Sequence, residues 1–333
     1  MIPRPTFDIS ISGRKVRLGK RTLIMGTLNV TPDSFSDGGL YLDPASAVEH
    51  GLDLVRQGAD WIDVGGESTR PGSQPVSAAE ELRRVLPVIK ALRRKLRSTP
   101  ISIDTTKAEV AEMAVQAGAN ILNDISGLRF DPRLAEVARR HRAPVILMHL
   151  RGRPETMQAR PFVADIVQSV TRGLATSVRR ALSAGLRRSQ LILDPGLGFG
   201  KTRFQNFQVL SHLGNLRRFA LPILVGTSRK SFVQAVAAGT GLHAAALESP
   251  RGKGGSATYW PMMENLKAEV GARHPVAQSL RAAGHGVPLP ADAAAVVASI
   301  LAGAHIVRVH DVAGVLPAVR IADAVLTAAR RAE

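Results

Sequence analysis

The chain reads as an α/β protein that closes into a (β/α)8 barrel, with a short N-terminal hairpin ahead of it and a large insertion between its seventh and eighth strands. Three observations predict this. Eight short, nearly continuous apolar runs rich in β-branched residues recur along the chain, as parallel strands buried on both faces require. Between them lie Ala-, Leu- and Arg-rich segments with helical spacing. Nearly every run ends in a charged or hydrogen-bonding side chain; a barrel serving only as a scaffold would not need these, because a buried polar group left unpaired costs about 1–3 kcal/mol. An open doubly wound sheet is the alternative, but eight βα units in about 310 residues favour closure.

The elements follow in order. "FDISISGRKVRLGKR" alternates polar and apolar residues around Ser12-Gly13, which predicts a hairpin closing the barrel bottom. The first four strands are "LIMGTLNV" from Leu23, "WIDVGGE" from Trp61, "PISIDT" from Pro100 and "ILNDIS" from Ile121. The last four are "PVILMH" from Pro144, "LILDPG" from Leu191, "PILVGT" from Pro222 and "HIVRVHD" from His305. Among the helices, Ala108 to Ala117 has Thr105-Thr106 as its expected N-cap and Gly118 as its stop. Ser228 and Arg308 are 80 positions apart, where a loop and helix would need roughly 30 to 40. The excess, about 239–290, is rich in Gly and Pro and carries Tyr259 and Trp260. It reads as an insertion on the active-site side of a single domain spanning 1–333.

Bulk properties narrow the partners. A hydrophobic content of 45% with mean hydropathy of +0.04 is that of a globular protein. No apolar run is expected to approach the roughly 20 residues of a bilayer span, and "MIPRPTFDIS" has no signal-peptide core, so a cytoplasmic protein without a membrane partner is expected. The absence of cysteine excludes disulfides, thiolate metal sites and a Cys nucleophile. The net charge of +17 raises nucleic-acid binding. The basic residues, however, are scattered as pairs such as Arg83-Arg84, Arg139-Arg140 and Arg217-Arg218 over separate helices. With only 4% aromatic residues there is little to stack on bases, so a solvated surface and no specific nucleic acid are expected.

"DPGLGFGKT", Asp194 to Thr202, ends as a phosphate-binding P-loop does, but Pro195 occupies the position where that loop needs its first Gly. The glycines serve something other than a nucleotide. The residues at the strand ends say what. Arg70, Arg308, His310 and the amide of Asn29 suit phosphate oxygens, and the carbonyl oxygen of Asn29 also suits a hard cation such as Mg2+. Asp104, Asn123 and Asp194 suit a heterocycle presenting several N–H donors, and Lys230 suits a carbonyl or carboxylate.

At this point the chain resembles the dihydropteroate synthases. "MGTLNVTPDSFSDGG" (Met25 to Gly39) is similar to the family's first signature and mobile loop, and "DVGGESTRPG" (Asp63 to Gly72) to its second. "IDTTK", "ILNDISG", "DPGLGFGKT", "VGTSRKSF" and "RVHDV" follow in family order, so that the resemblance covers about 20–238 and 292–325. It implies a TIM-barrel transferase that joins 6-hydroxymethyl-7,8-dihydropterin pyrophosphate to p-aminobenzoate, releasing pyrophosphate and 7,8-dihydropteroate for folate synthesis. The pterin-binding residues it implies are Asp104, Asn123, Met148, Asp194, Phe199 and Lys230. Asn29, Thr69, Arg70, Arg308 and His310 take the pyrophosphate, with Mg2+ as cofactor on Asn29. Phe35, Thr69, Ser228 and Lys230 meet the p-aminobenzoate. The catalytic set is Asp33, Phe35, Asp104 and Lys230, the first two on a loop over 31–39 that closes on the site; Asp33 also reads as a turn former after Pro32.

By the same resemblance sulfonamides are inhibitors and the last helices form a homodimer. Leu197 stands where many members carry an aromatic residue, and apolar packing is expected of it. Two further readings share the barrel: a pterin-dependent methyltransferase, which does not need the Ser228-Arg229-Lys230 and Arg308-x-His310 sets, and a non-catalytic paralogue whose insertion blocks the pocket.

Overall fold

The computed structural model describes residues 4–31, 44–70, 72–238 and 289–331. Strands β1 (Phe7–Ile11) and β2 (Arg14–Leu18) pair antiparallel, with Phe7 opposite Leu18. Ser12 and Gly13 have φ of 48° and 78°, the two left-handed residues that a two-residue hairpin turn needs. The expected hairpin therefore forms at the expected turn.

Parallel strands and helices then alternate. The first half holds β3 (Leu23–Asn29), α1 (Pro44–Arg56), β4 (Trp61–Gly65), α2 (Ala78–Lys95), β5 (Ile101–Asp104), α3 (Ala108–Ala117) and β6 (Ile121–Asp124). After α4 (Leu134–His141) come β7 (Val145–Met148), α5 (Ile166–Ser183), β8 (Leu191–Asp194), α6 (Arg203–Ser211), β9 (Leu224–Gly226) and α7 (Ser231–Ala237). The chain ends in α8 (Leu289–Leu301), β10 (Ile306–Val309) and α9 (Val312–Arg331). The insertion expected at 239–290 lies outside the described residues except for Leu289 and Pro290, which open α8.

Around the sheet the strand order is β8-β7-β6-β5-β4-β3-β10-β9. Its edges meet at a single parallel bridge between Leu193 and Ile223, beside which the Leu193 N–H donates to the Pro222 carbonyl at 2.9 Å. The barrel is closed.

Alternate residues of each strand face inward. At the strand starts these are apolar: Leu23, Met25, Trp61, Ile121, Ile146, Ile192, Leu224 and Ile306 pack with Ile9, Ile11 and Leu18 of the hairpin into a plug. The residues between them, Ile24, Ile62, Leu122, Leu147 and Leu193 among others, face the helices in the outer core. Below the barrel the Arg4 guanidinium donates to Thr22 Oγ1 and the Ala304 carbonyl, both at 2.7 Å, and pairs with Asp323 at 3.0 Å.

Two expectations need correction. Helix α3 is not capped by Thr105 or Thr106: Lys107 takes the N-cap position without a side-chain bond, and the Ala108 N–H donates instead to Asp131 Oδ2 at 3.0 Å, a cap lent by the loop after β6. Thr105 Oγ1 turns to the Lys107 N–H at 3.2 Å. The expectation that no apolar run approaches a bilayer span also fails, at α9, where Val312–Ala329 has mean hydropathy 1.6 and is long and apolar enough by composition to cross a membrane. In this fold Val312, Val315, Val319, Ala322 and Leu326 make one helical face that packs on the core, while Ile321 and Val325 are exposed.

Candidate active site

Toward the strand ends the inward positions turn polar. Asn29, Asp104, Asn123, Asp194 and Arg308 border a cavity of about 620 Å³ at the C-terminal face of the barrel. Thr69, Arg70, Met148, Phe199, Ser228, Lys230 and His310 border the same cavity. All the site residues expected from the sequence thus converge on it, except Asp33 and Phe35, which lie outside the described residues.

Below the cavity is a residue to which the sequence reading assigned no role. Asp63, fully buried on β4, accepts Asn123 Nδ2 at 2.9 Å and Arg308 Nε at 2.7 Å on the same oxygen. Arg308 also donates to Asp104 Oδ2 at 3.0 Å. The guanidinium expected to meet phosphate is therefore anchored to two carboxylates, and the Asn123 amide is turned so that its carbonyl oxygen is left for a ligand. Thr27 and Ser102 flank Asp63 in register on β3 and β5. Thr27 Oγ1, Asp63 Oδ1 and Ser102 Oγ are buried without protein partners, which makes a polar floor.

Burial and charge set the protonation of the walls. Burial pushes the Asp194 carboxyl up to about 6 even though the Gly196 N–H donates to it at 2.7 Å. Burial, and then the neighbouring Asp63, also raise Asp104. Burial and Arg308 push Lys230 down to about 8, and its Nζ lies 4.1 Å from the centre of the Phe199 ring, a cation–π contact. Burial, followed by Arg308, Arg229, Lys230 and Arg70, pushes His310 down to about 2, so its ring is neutral in the free site.

The glycines of "DPGLGFGKT" are explained by close approach. Gly196 has φ of +65°, and a Cβ there would stand 2.0 Å from the His149 carbonyl oxygen. At Gly198, φ +85°, a Cβ would meet Lys230 Cδ at 3.0 Å, so this glycine lets the lysine cross to Phe199. Lys201 is buried under the loop and donates to the carbonyls of Gly196 (2.6 Å), Phe199 (3.0 Å) and His149 (3.3 Å). Three acceptors call for the ammonium form, against burial that pushes the amine down to about 7. Thr202 caps α6 through the Gln205 N–H at 3.2 Å, so the Gly-Lys-Thr sequence ends in a helix cap and not in a phosphate loop. Leu197 is buried in the outer core, the apolar packing expected of it. Ile125, Met148, Leu150, Met157 and Phe199 cluster as an apolar wall beside the acids, which suits a flat ring with polar edges.

The segment carrying Thr69 and Arg70 is held from behind. Glu67 accepts the Val76 N–H at 3.1 Å and receives Lys107 Nζ at 2.6 Å; the same ammonium bonds the buried Glu81 at 2.5 Å. At the other side, Ser228 Oγ donates to Asp292 at 2.7 Å and lies 3.3 Å from the His310 N–H and 3.2 Å from His310 Nδ1. Asp292 also accepts the Arg229 N–H, at 3.2 Å and 3.3 Å to its two oxygens. It was not singled out from the sequence, where it looks like an ordinary acid in the first turn of a helix.

Residues 25–261 match the family described as pterin binding enzyme. A dihydropteroate synthase of Synechocystis is 51% identical over 215 residues, 65% of this chain and 74% of that protein. One from Escherichia coli is 39% identical over 305 residues, 92% of each chain. Among solved structures, the Yersinia pestis dihydropteroate synthase with a sulfonamide drug superposes with a TM-score of 0.75 at 36% identity, covering 97% of this chain and all of that one. The Xanthomonas albilineans synthase in complex with 7,8-dihydropteroate gives 0.70 at 34% identity, covering 96% of this chain and 98% of that one.

Proposed function

From the premise that the chain belongs to the pterin-binding enzymes as a dihydropteroate synthase, we propose how its residues divide the work of joining 6-hydroxymethyl-7,8-dihydropterin pyrophosphate to p-aminobenzoate. The observation that carries the division is the cavity itself, which is bordered by the buried acids Asp104 and Asp194, by an apolar wall and by the cations Arg70, Lys230 and Arg308.

The pterin ring lies on Met148 and Phe199, its N–H edge on Asp104, Asn123 and Asp194, with Lys230 at its carbonyl. Asn29, Thr69, Arg70, Arg308 and His310 receive the pyrophosphate. Lys230 also supplies a donor for the aminobenzoate carboxylate, and Phe35, Thr69 and Ser228 border that end.

When the pterin C–O bond breaks, the bonding pair leaves with the pyrophosphate and positive charge develops on the pterin methylene. Asp104 and Asp194 stabilise that charge from a site with little water, where fixed charges act strongly. The arylamine nitrogen then attacks the methylene carbon and loses a proton. Asp33 and Phe35 belong to this proposal as the loop that closes over the cation.

Mg2+ is the cofactor in this reading. Among the described residues no group of three or more His, Cys, Asp or Glu side chains forms a metal cage. Mg2+ does not require one, since it keeps several waters and takes substrate phosphate oxygens with one or two from the protein. Asn29 fits that mode: it borders the cavity beside Arg70, Arg308 and His310 and offers one neutral oxygen ligand. Bound there, the ion would neutralise pyrophosphate charge.

Sulfonamides are proposed to compete with p-aminobenzoate. A homodimer is supported by the exposed Ile321 and Val325 on α9, and a cytoplasmic location completes the reading.

The test is pyrophosphate release by the purified protein with Mg2+ and the pterin pyrophosphate, with and without p-aminobenzoate, beside Lys230→Ala. Release that depends on aminobenzoate and collapses in the variant is expected. Tight pterin binding without turnover would overturn the assignment of roles.

A further inference from the structure

Asp292 has no place in the scheme above, yet it is buried, with only 7% of its surface exposed, and it is tied to two of the residues that scheme uses. Its carboxylate can only accept, so the single proton of Ser228 points at it. Ser228 Oγ must then accept from both the His310 backbone N–H and Nδ1. That fixes the neutral ring as the tautomer protonated on Nδ1, with its lone pair on Nε2. No protein partner binds Nε2 among the described residues, and His310 borders the cavity.

A lone pair facing pyrophosphate would repel it, whereas a second proton would turn Nε2 into a donor. We infer that Asp292 is a positioning residue for the leaving group: acting through Ser228, it holds the His310 ring with Nε2 toward the pyrophosphate and supplies the buried negative charge against which that nitrogen carries a proton for the departing oxygen.

Burial and the surrounding Arg308, Arg229, Lys230 and Arg70 keep the ring neutral in the free site. Entry of pyrophosphate neutralises those cations, leaving Asp292 as the charge at the far end of the hydrogen-bonded chain. As the C–O bond breaks and its electron pair leaves with oxygen, Nε2–H gives that oxygen its proton. The ring takes that proton from solvent as pyrophosphate enters and is neutral again once it has given it up; the arylamine returns a proton to solvent on forming the C–N bond, so charge and protons balance. Asp292 never touches the substrate; it acts through a hydroxyl and an imidazole, in the manner of a third group that orients a catalytic base.

The inference rests on the proposed placement of pyrophosphate at His310, and the experiment separates the two. Steady-state kinetics with the pterin pyrophosphate and p-aminobenzoate are measured for Asp292→Asn, His310→Gln and the double variant, together with binding of 6-hydroxymethyl-7,8-dihydropterin, which lacks the pyrophosphate. Each single substitution is expected to lower kcat on the order of tenfold, with the double variant no slower than His310→Gln, because coupled residues are non-additive. Hydroxymethylpterin binding and the KM for aminobenzoate are expected to stay unchanged in Asp292→Asn. Additive losses in the double variant, or pterin binding that falls as much as kcat, would overturn the role of Asp292. Full activity in His310→Gln would overturn the placement of pyrophosphate itself, and the inference with it.

Discussion

At the start of its strands the barrel is filled by Ile, Leu, Met and Trp, and the polar groups beneath are matched, Arg4 with Thr22, Ala304 and Asp323. A few residues further along the same strands the interior holds Asp63, Asp104, Asn123, Asp194 and Arg308, with one Asp63 oxygen left without a partner. Both ends use the same inward positions of the same strands. One end is resolved internally and sustains the fold; the other is resolved only by a ligand, and its acids and amines sit away from their usual protonation because the fold keeps them out of water.

The comparison breaks most sharply at Asp194. Asp194→Asn is expected to lower kcat/KM for the pterin substrate by about 10³-fold, the upper end for losing one preorganised electrostatic contact. The same variant should melt no lower than the parent at pH 7.5. The sign follows from the carboxyl's rise to about 6 against a usual 3.8: the fold carries a penalty that grows as pH rises between those values and is complete above 6. A fall in Tm there would mean that the two ends do not differ in this way.

Leu18→Ala tests the opposite end. Removing a fully buried side chain from the plug should cost about 3 kcal/mol of stability, read by denaturant unfolding. It should leave kcat/KM of the folded enzyme within a few-fold. Loss of activity as large as the loss of stability would show that the ends are not separable.

Lys201→Met lies between the two. It leaves the carbonyls of Gly196, Phe199 and His149 without their donor. A stability loss of about 2 kcal/mol is expected. Titration of the pterin should weaken while the KM for aminobenzoate holds, and equal weakening of both substrates would assign Lys201 to the fold alone.

The smallest effect is a pH profile. Asp194 loses its charge below about 6 and Lys230 above about 8, so kcat/KM for the pterin substrate should be bell-shaped, falling about tenfold per pH unit outside those limits. Lys230→Arg should move the alkaline limb and not the acid one. A profile flat from pH 5 to 9 would contradict both assignments.

The strands were legible because a parallel strand buried on both faces reads as an apolar run; β3, β4, β6 and β8 begin where "LIMGTLNV", "WIDVGGE", "ILNDIS" and "LILDPG" begin. The site was legible because its residues end those runs and converge only if the barrel closes. What stayed hidden depends on partners far apart in the chain. Asp292 is 64 positions from Ser228, and Asp131 caps a helix 23 positions before it. Asp63 was visible but unassigned, because nothing in "WIDVGGE" tells that its third residue shares an oxygen between Asn123 and Arg308. Polarity has a local signature; pairing across the barrel does not.

The bridge between Leu193 and Ile223 bears on how the cylinder breathes. A hoop opens at its thinnest join, and here one ladder bridge closes the circumference while every other neighbouring pair of strands shares at least three paired residues. On one lip of that join stands Asp194, and on the other the strand leading to Ser228 and Lys230. A small parting of the seam would widen the gap between the acid and the ammonium that grip the same ring, so the amide of Leu193 should exchange its hydrogen sooner than those of the opposite wall, and should slow when the pterin spans the two lips.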